Sequence, residues 1–296
     1  MRTLFLALCL AAGAAAADPK VVLVITADAS DFVHCAGGTI ATMVERGAAA
    51  HLIRVTNDEK DSWRLSPEET ARRVREEVEQ AARALGIEKV HHLGYRAGEL
   101  ASVSPTELRD RIAFYVRLLK PDVMFLPNPY AEYVEVLDRY YTGSAAEEAR
   151  RAASLANYQP PFAQVGLEPH FVPELYHYAA PVDPRRREPE STATFVPQPV
   201  TRDIAAAFDR KLRAALALRT INYSLAMRIR QRLEETGRRL PLLDTVDDAA
   251  VAKLVEINLR RLAAIGAEKT AFQLAEEFHY AGLDYQIPQK YRGASQ

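Results

Sequence analysis

KVVLVITADASDFVHCAGGTIATMVERGAAAHLIRVTNDEK, residues 20–60, decides the fold class. Lys20 to Thr26 is a β-branched apolar run without alternation, the pattern of a strand covered on both faces. A polar loop follows, and the pair Gly37-Gly38 opens a helix that runs to Arg46. Ala49 to Thr56 is a second strand of the same kind. Strand, helix and strand at this spacing predict a βαβ unit with parallel strands.

The alternation continues downstream. Ser66-Pro67-Glu68-Glu69 puts a capping Ser, a first-turn Pro and a third-position Glu at the start of a helix over 66–85, which Gly86 stops. Lys89 to Leu93 is a third strand, Ser104 to Leu119 a helix, and Asp122 to Leu126 a fourth strand. Gly143 to Ala156 is helical and Val172 to Tyr178 is a candidate fifth strand. Pro181 to Pro199, with its basic run at 185–187, reads as a solvated surface loop. Residues 202–237 carry apolar side chains at helical spacing, and 247–280 hold two more helical stretches. The expected class is α/β: a Rossmann-like parallel sheet with helices on both faces, spanning 18–225, then a helical C-terminal extension over 226–296. Ligands of such sheets gather at the carboxyl ends of the strands, where Asp28 to His34, Asn57 to Trp63 and Asn128 to Arg139 fall.

Hydrophobic residues make up 48% and charged residues 26%, an ordinary globular composition. With 38 basic and 39 acidic side chains, there is no electrostatic ground for a nucleic-acid or anionic-membrane partner. Residues 1–17 have the anatomy of a secretory signal: Arg2, an apolar run from Leu4 to Ala12, and small residues from Ala14 to Ala17. The expectation is export, periplasmic or secreted. That apolar run is short for a membrane span and no later segment approaches one. Cys9 leaves with the signal, so Cys35 stands alone and reads as a small buried thiol.

The segment TADASDFVHCAGGTIA, residues 26–41, resembles the opening motif of the PIG-L / LmbE-like family, the zinc-dependent N-acetylglucosaminyl deacetylases, in which A-H-P-D-D precedes G-G-T-I-A. VERGAAAHLIRVTNDEK is similar to the family's second strand and its T-(D/N)-G-E-like end, LGYRAGEL to L-G-Y-x-D-G-x-L, and LKPDVMFLPNPY to the strand before the last metal ligand. The resemblance covers about residues 20–225, and the tail KTAFQLAEEFHYAGL is similar to that of longer members. It implies hydrolysis of an N-acetyl amino sugar by a zinc-bound water. Aligned on Gly37-Gly38, Asp28 stands at the family's His ligand, Ala29 at the Pro, Ser30 at the general base and Asp31 at the second ligand. VLDRYYTG fits the later Asp-His pair, so Asp138 matches the Asp and Arg139 sits at the third ligand; Ala97 replaces the Asp of L-G-Y-x-D-G.

Chemistry separates these exchanges. An Asp can offer oxygen to a metal, although zinc favours nitrogen and sulfur. Arg139 cannot ligate, because a guanidinium stays protonated with no free lone pair. A serine is a poor base unless a neighbour activates it. Arg139 reaching between Asp28 and Asp31 would replace the metal's charge by forked hydrogen bonds; the alternative leaves Arg139 in solvent and both acids hydrated. His34 is a candidate displaced ligand, or packs at the start of the helix. Asp58, Glu59, Tyr140 and His177 are candidate contacts for a small-molecule or carbohydrate ligand, with Tyr141, Asp61 and Trp63 nearby in sequence. Three functions remain open: a non-catalytic ligand-binding relative with a lost or rewired zinc site, a hydrolase with a displaced metal set, and a lyase similar to oxalomesaconate hydratase.

Overall fold

The computed structural model describes residues 20–132, 136–179 and 198–281. The expected signal sequence and the basic run at 185–187 lie outside the described residues. The chain begins β1 (Val21–Thr26), α1 (Asp31–Glu45), β2 (Ala49–Thr56), α2 (Pro67–Leu85), β3 (Lys89–Tyr95) and α3 (Pro105–Leu119). It continues through β4 (Val123–Pro127), α4 (Pro129–Glu132), α5 (Leu137–Ala153), α6 (Pro160–Gln164) and β5 (Glu174–Tyr178). β6 (Gln198–Asp203), α7 (Phe208–Ala217), α8 (Arg219–Glu235), α9 (Asp248–Ala267) and β7 (Ala275–Ala281) follow.

The strands form one sheet in the order β3-β2-β1-β4-β5-β7-β6. The first five run parallel, while β7 pairs antiparallel with both β5 and β6. Val22 and Val24 point into a core shared with Phe32, Val78, Phe208 and Leu259. Leu23 and Ile25 point the other way, against Ile112, Val116 and Ala146. Two apolar faces need two apolar covers, which is why β1 shows no alternation. Ser66 caps α2 by accepting from the Glu69 N–H at 3.2 Å, and Gly86 ends it in the left-handed region at φ 84°. Ser104 precedes α3 without a side-chain capping bond.

Four differences from the sequence reading bear on function. Helix α1 starts at Asp31, so Gly37-Gly38 lies inside it rather than opening it. Gly38 is small because Ile204 packs there: an added Cβ would stand 2.6 Å from the Ile204 Cβ. Helix α5 starts at Leu137, ahead of Gly143. A Cβ on Gly143 would collide with the Pro127 carbonyl oxygen, so this residue lets α5 lie directly on the end of β4 and carry Arg139 over the sheet. The proline-rich stretch ends in β6 at the sheet edge, where a Pro such as Pro199 is tolerated. Finally, 275–281 is a strand and not a helix. Glu276, Phe278 and Tyr280 share one face of the strand, and every residue of it but Glu277 is buried, so it shows no alternation of apolar and polar exposure.

Candidate functional site

The loops after β1, β2, β3 and β4 meet at the carboxyl ends of those strands. They enclose a cavity of about 580 Å³ lined by Asp28, Ser30, Thr56, Asp58, Lys60, Asp61, Ala97, Asp138 and Arg139, with Ile221 and Arg228 from α8. A volume of this order suits a small ligand.

Asp28 is held from two sides. Its Oδ1 accepts from the Ser30 N–H at 2.8 Å, the Asp31 N–H at 3.0 Å and the Ser30 hydroxyl at 3.0 Å, so it caps the start of α1. Its Oδ2 accepts from Arg139 Nε at 3.1 Å and Nη2 at 3.0 Å. The same Nη2 lies 2.8 Å from Asp31 Oδ1. The guanidinium therefore bridges both acids, with side-chain exposures of 21% for Asp28, 4% for Asp31 and 18% for Arg139. Burial pushes the Asp28 carboxyl up, but the Arg139 charge and the two backbone N–H groups outweigh it and hold the group at about 2.

A second charge pair lies beside the first. Asp58, fully buried and at φ 53°, accepts from Arg54 Nε at 2.8 Å and also from Arg54 Nη2, and takes the Ala29 N–H at 3.2 Å. Burial pushes its carboxyl up, with the Arg54 charge pulling against that. Asp138 accepts from the Gly98 N–H at 2.5 Å and the Leu100 N–H at 3.2 Å, tying the loop after β3 to α5. Asp61 is raised by burial and then by the Asp28 charge.

The remaining candidates divide. Asp28, Ser30, Asp31 and Arg139 come together, and Asp58 joins them at the cavity wall. Glu59 turns away to accept from Arg96 Nε at 2.7 Å and does not line the cavity. His34 lies one turn into α1, lining a small crevice with Cys35, Lys211 and Glu276; burial and then the Lys211 charge lower it to about 4, so it is neutral near pH 7. Tyr140 lines a neighbouring hollow across Leu137, and the buried His177 lies behind Glu147 of its wall. Trp63 is held by its N–H on Ser224 Oγ at 2.8 Å, and His91 and His92 pack within β3 against Tyr115 and Arg54. Arg54 was the residue most open to detection: an arginine inside a strand covered on both faces needs a buried partner, and Asp58 stands four residues on. Arg228 comes from α8, and no motif connects it to the pocket.

The zinc that the motif implies does not fit this donor set. Two carboxylates already share one guanidinium, and the third position offers no lone pair. Among the described residues no three His, Cys, Asp or Glu side chains gather as a metal would require, so Asp28, Asp31 and His34 do not form a displaced set. Ser30 donates its hydroxyl to Asp28, whose low basicity gives it no activation as a base.

Residues 23–149 match the family described as PIG-L, GlcNAc-PI de-N-acetylase. That stretch resembles the PIG-L / LmbE-like domain. The chain is 28% identical over 163 residues to the diacetylchitobiose deacetylase of Thermococcus kodakarensis, covering 54% of this chain and 60% of that protein's length. The structure is similar to that of N,N'-diacetylchitobiose deacetylase from Pyrococcus horikoshii, solved with its inhibitor MPG, at a TM-score of 0.69 and 26% identity over 89% of this chain and 84% of that one. It also shares its fold with GalB, the 4-carboxy-2-hydroxymuconate hydratase of Pseudomonas putida KT2440, at a TM-score of 0.62 and 17% identity, covering 90% and 98% of the two chains. Among the described residues no helix is long and apolar enough to cross a membrane.

Proposed function

We propose that this protein is an exported, carbohydrate-binding member of the PIG-L family, whose pocket retains a place for an amino sugar but lacks the zinc-water chemistry of its relatives. The observation that carries this reading is the Arg139 guanidinium, 2.8 Å from Asp31 and 3.0 Å from Asp28. It supplies positive charge where a divalent ion would polarise a carbonyl, yet it cannot ligate a water and lower its pKa as a metal does. Ser30, at the family's base position, is committed to Asp28 and gains no basicity there. A sugar would meet hydroxyl and carboxylate partners in Thr56 and Asp61, cations in Lys60 and Arg228, and apolar surface from Leu137 and Ile221. The amino-sugar class comes from the two diacetylchitobiose deacetylases to which the chain is similar.

The test pairs zinc content with binding. The purified protein should carry far less than one zinc per chain, release no acetate from N,N'-diacetylchitobiose, and bind that disaccharide saturably by calorimetry. Stoichiometric zinc together with acetate release would overturn the reading.

A further inference from the structure

A second hollow of about 610 Å³ opens on the far side of Leu137, which lines both cavities. Its walls include Tyr130, Tyr140, Ser144, Glu147 and Arg151, from α4 and α5. Tyr130 is 48% exposed, and its hydroxyl donates to both Glu147 oxygens at 3.1 and 3.2 Å. Burial and then the Glu147 charge push the Tyr130 phenol up to about 12, so it stays a donor. Behind Glu147 stands His177, 1% exposed, with Nε2 3.5 Å from the nearer carboxylate oxygen. Neither ring nitrogen of His177 has a hydrogen bond among the described residues. Buried polar groups are rarely left so, and this one lies directly behind the Glu147 carboxylate that faces the hollow.

We propose that this hollow is a second sugar subsite, filled by the next ring of an oligosaccharide whose first ring occupies the Arg139 cavity; it rests on the carbohydrate reading of that cavity. The lining carries a chemistry suited to a neutral, hydroxyl-rich ring. Tyrosine rings and Leu137 offer apolar faces with wet edges, which suit the C–H face of a pyranose. Glu147 and the neighbouring Glu148 accept hydrogen bonds, while Arg151 and Ser144 donate. One cation against two carboxylates gives no surplus positive charge for an anionic ligand. The shared Leu137 places the two hollows one side chain apart, so a ligand crossing it contacts both.

Calorimetric titration of the full chain with N-acetylglucosamine oligomers of one to four units tests this. Affinity should rise about tenfold or more once the oligomer is long enough to cross Leu137, the value of one well-made set of contacts. Tyr130→Ala and, separately, Glu147→Gln should each remove that increment. Binding of the short oligomers with no gain on lengthening, or a gain that survives both substitutions, overturns the subsite and leaves the first cavity's reading intact. Failure of every oligomer to bind overturns the carbohydrate reading, and the subsite with it.

Discussion

Arg139 serves two acids at once, so its removal is felt by both. Arg139→Ala leaves Asp28 and Asp31 facing each other without their common cation. Breaking a fully buried ion pair costs ~3–5 kcal/mol, and the partial exposure of this one lowers the expected loss to ~2–3 kcal/mol in urea unfolding. Arg139→Lys keeps the charge and loses the fork, so its loss should be smaller, roughly 1 kcal/mol. An alanine variant as stable as the parent would mean the bridge does not form in solution. Acid titration probes the same contact from the other side. The folded Asp28 pKa is about 2 against a reference of 3.8. A lowered acid pKa means the stabilisation is present above the reference value and disappears as pH falls through the folded one. It is worth on the order of 2 kcal/mol. Unfolding free energies between pH 5 and pH 2 should therefore fall, and Asp28→Asn should flatten that limb. At this scale the sequence was informative, because residue type alone told that a guanidinium cannot replace a ligand. The bridge to Asp28 and Asp31 was one of two readings of the sequence, left open against a solvent-facing Arg139 because a loop's path is not written in its composition, and the fold brings the guanidinium to both acids. Asp58 shows the same limit: its side chain was a free candidate in the sequence and is a committed partner of Arg54 in the fold.

Among the elements, α5 determines where the guanidinium goes. Its contact with β4 is made through Gly143, where a methyl group would strike the Pro127 carbonyl oxygen, a backbone atom that cannot rotate away. Gly143→Ala should cost ~1–3 kcal/mol, the usual range for overpacking, and should also weaken ligand binding, because the first turn carrying Asp138 and Arg139 must lift from the sheet. Unfolding and calorimetry on the one variant separate the two effects; unchanged values in both would show that α5 is not pinned there. The start of this helix was misplaced in the sequence because its cap position is held by Val136, which has no capping side chain, and no Pro opens its first turn. Helix α2 was legible to the residue at both ends, since Ser66 and Gly86 each impose a backbone conformation. Strand β7 was hidden because all its residues but Glu277 are buried, so no period of two marks it off from the helical spacing of α9 before it.

On the scale of the whole molecule, the parallel half of the sheet was readable and the antiparallel half was not. Runs buried on both faces announce themselves by composition, whereas β6 and β7 find their places only through long-range contacts such as Glu276 with the N–H groups of Gly38 and Thr39, at 2.9 and 2.8 Å. That contact ties the end of the described chain to the helix bearing Asp31, so the scaffold of the site is held independently of what fills it. Lys211 completes it by donating to Glu276 at 2.8 Å and to the His34 carbonyl at 2.7 Å. If the scaffold is intact, the zinc chemistry that the proposed reading denies this pocket is a matter of side chains and should be installable by them. Arg139→His alone removes the cation but leaves Asp28 at a nitrogen position and Ser30 without basicity, so zinc should remain well below one per chain. The combination of Asp28→His, Ser30→Asp and Arg139→His provides two imidazoles and Asp31 as ligands, with a carboxylate beside them. Three ligands and an open position are what a catalytic zinc takes, so this variant should bind zinc stoichiometrically, with a rise in melting temperature on metal addition that a chelator reverses. Zinc uptake by Arg139→His to the same extent would show that the guanidinium alone keeps the metal out. A triple variant that folds, by circular dichroism, and still takes no zinc would show that the loops themselves, and not only their side chains, have moved away from the geometry of a metal site.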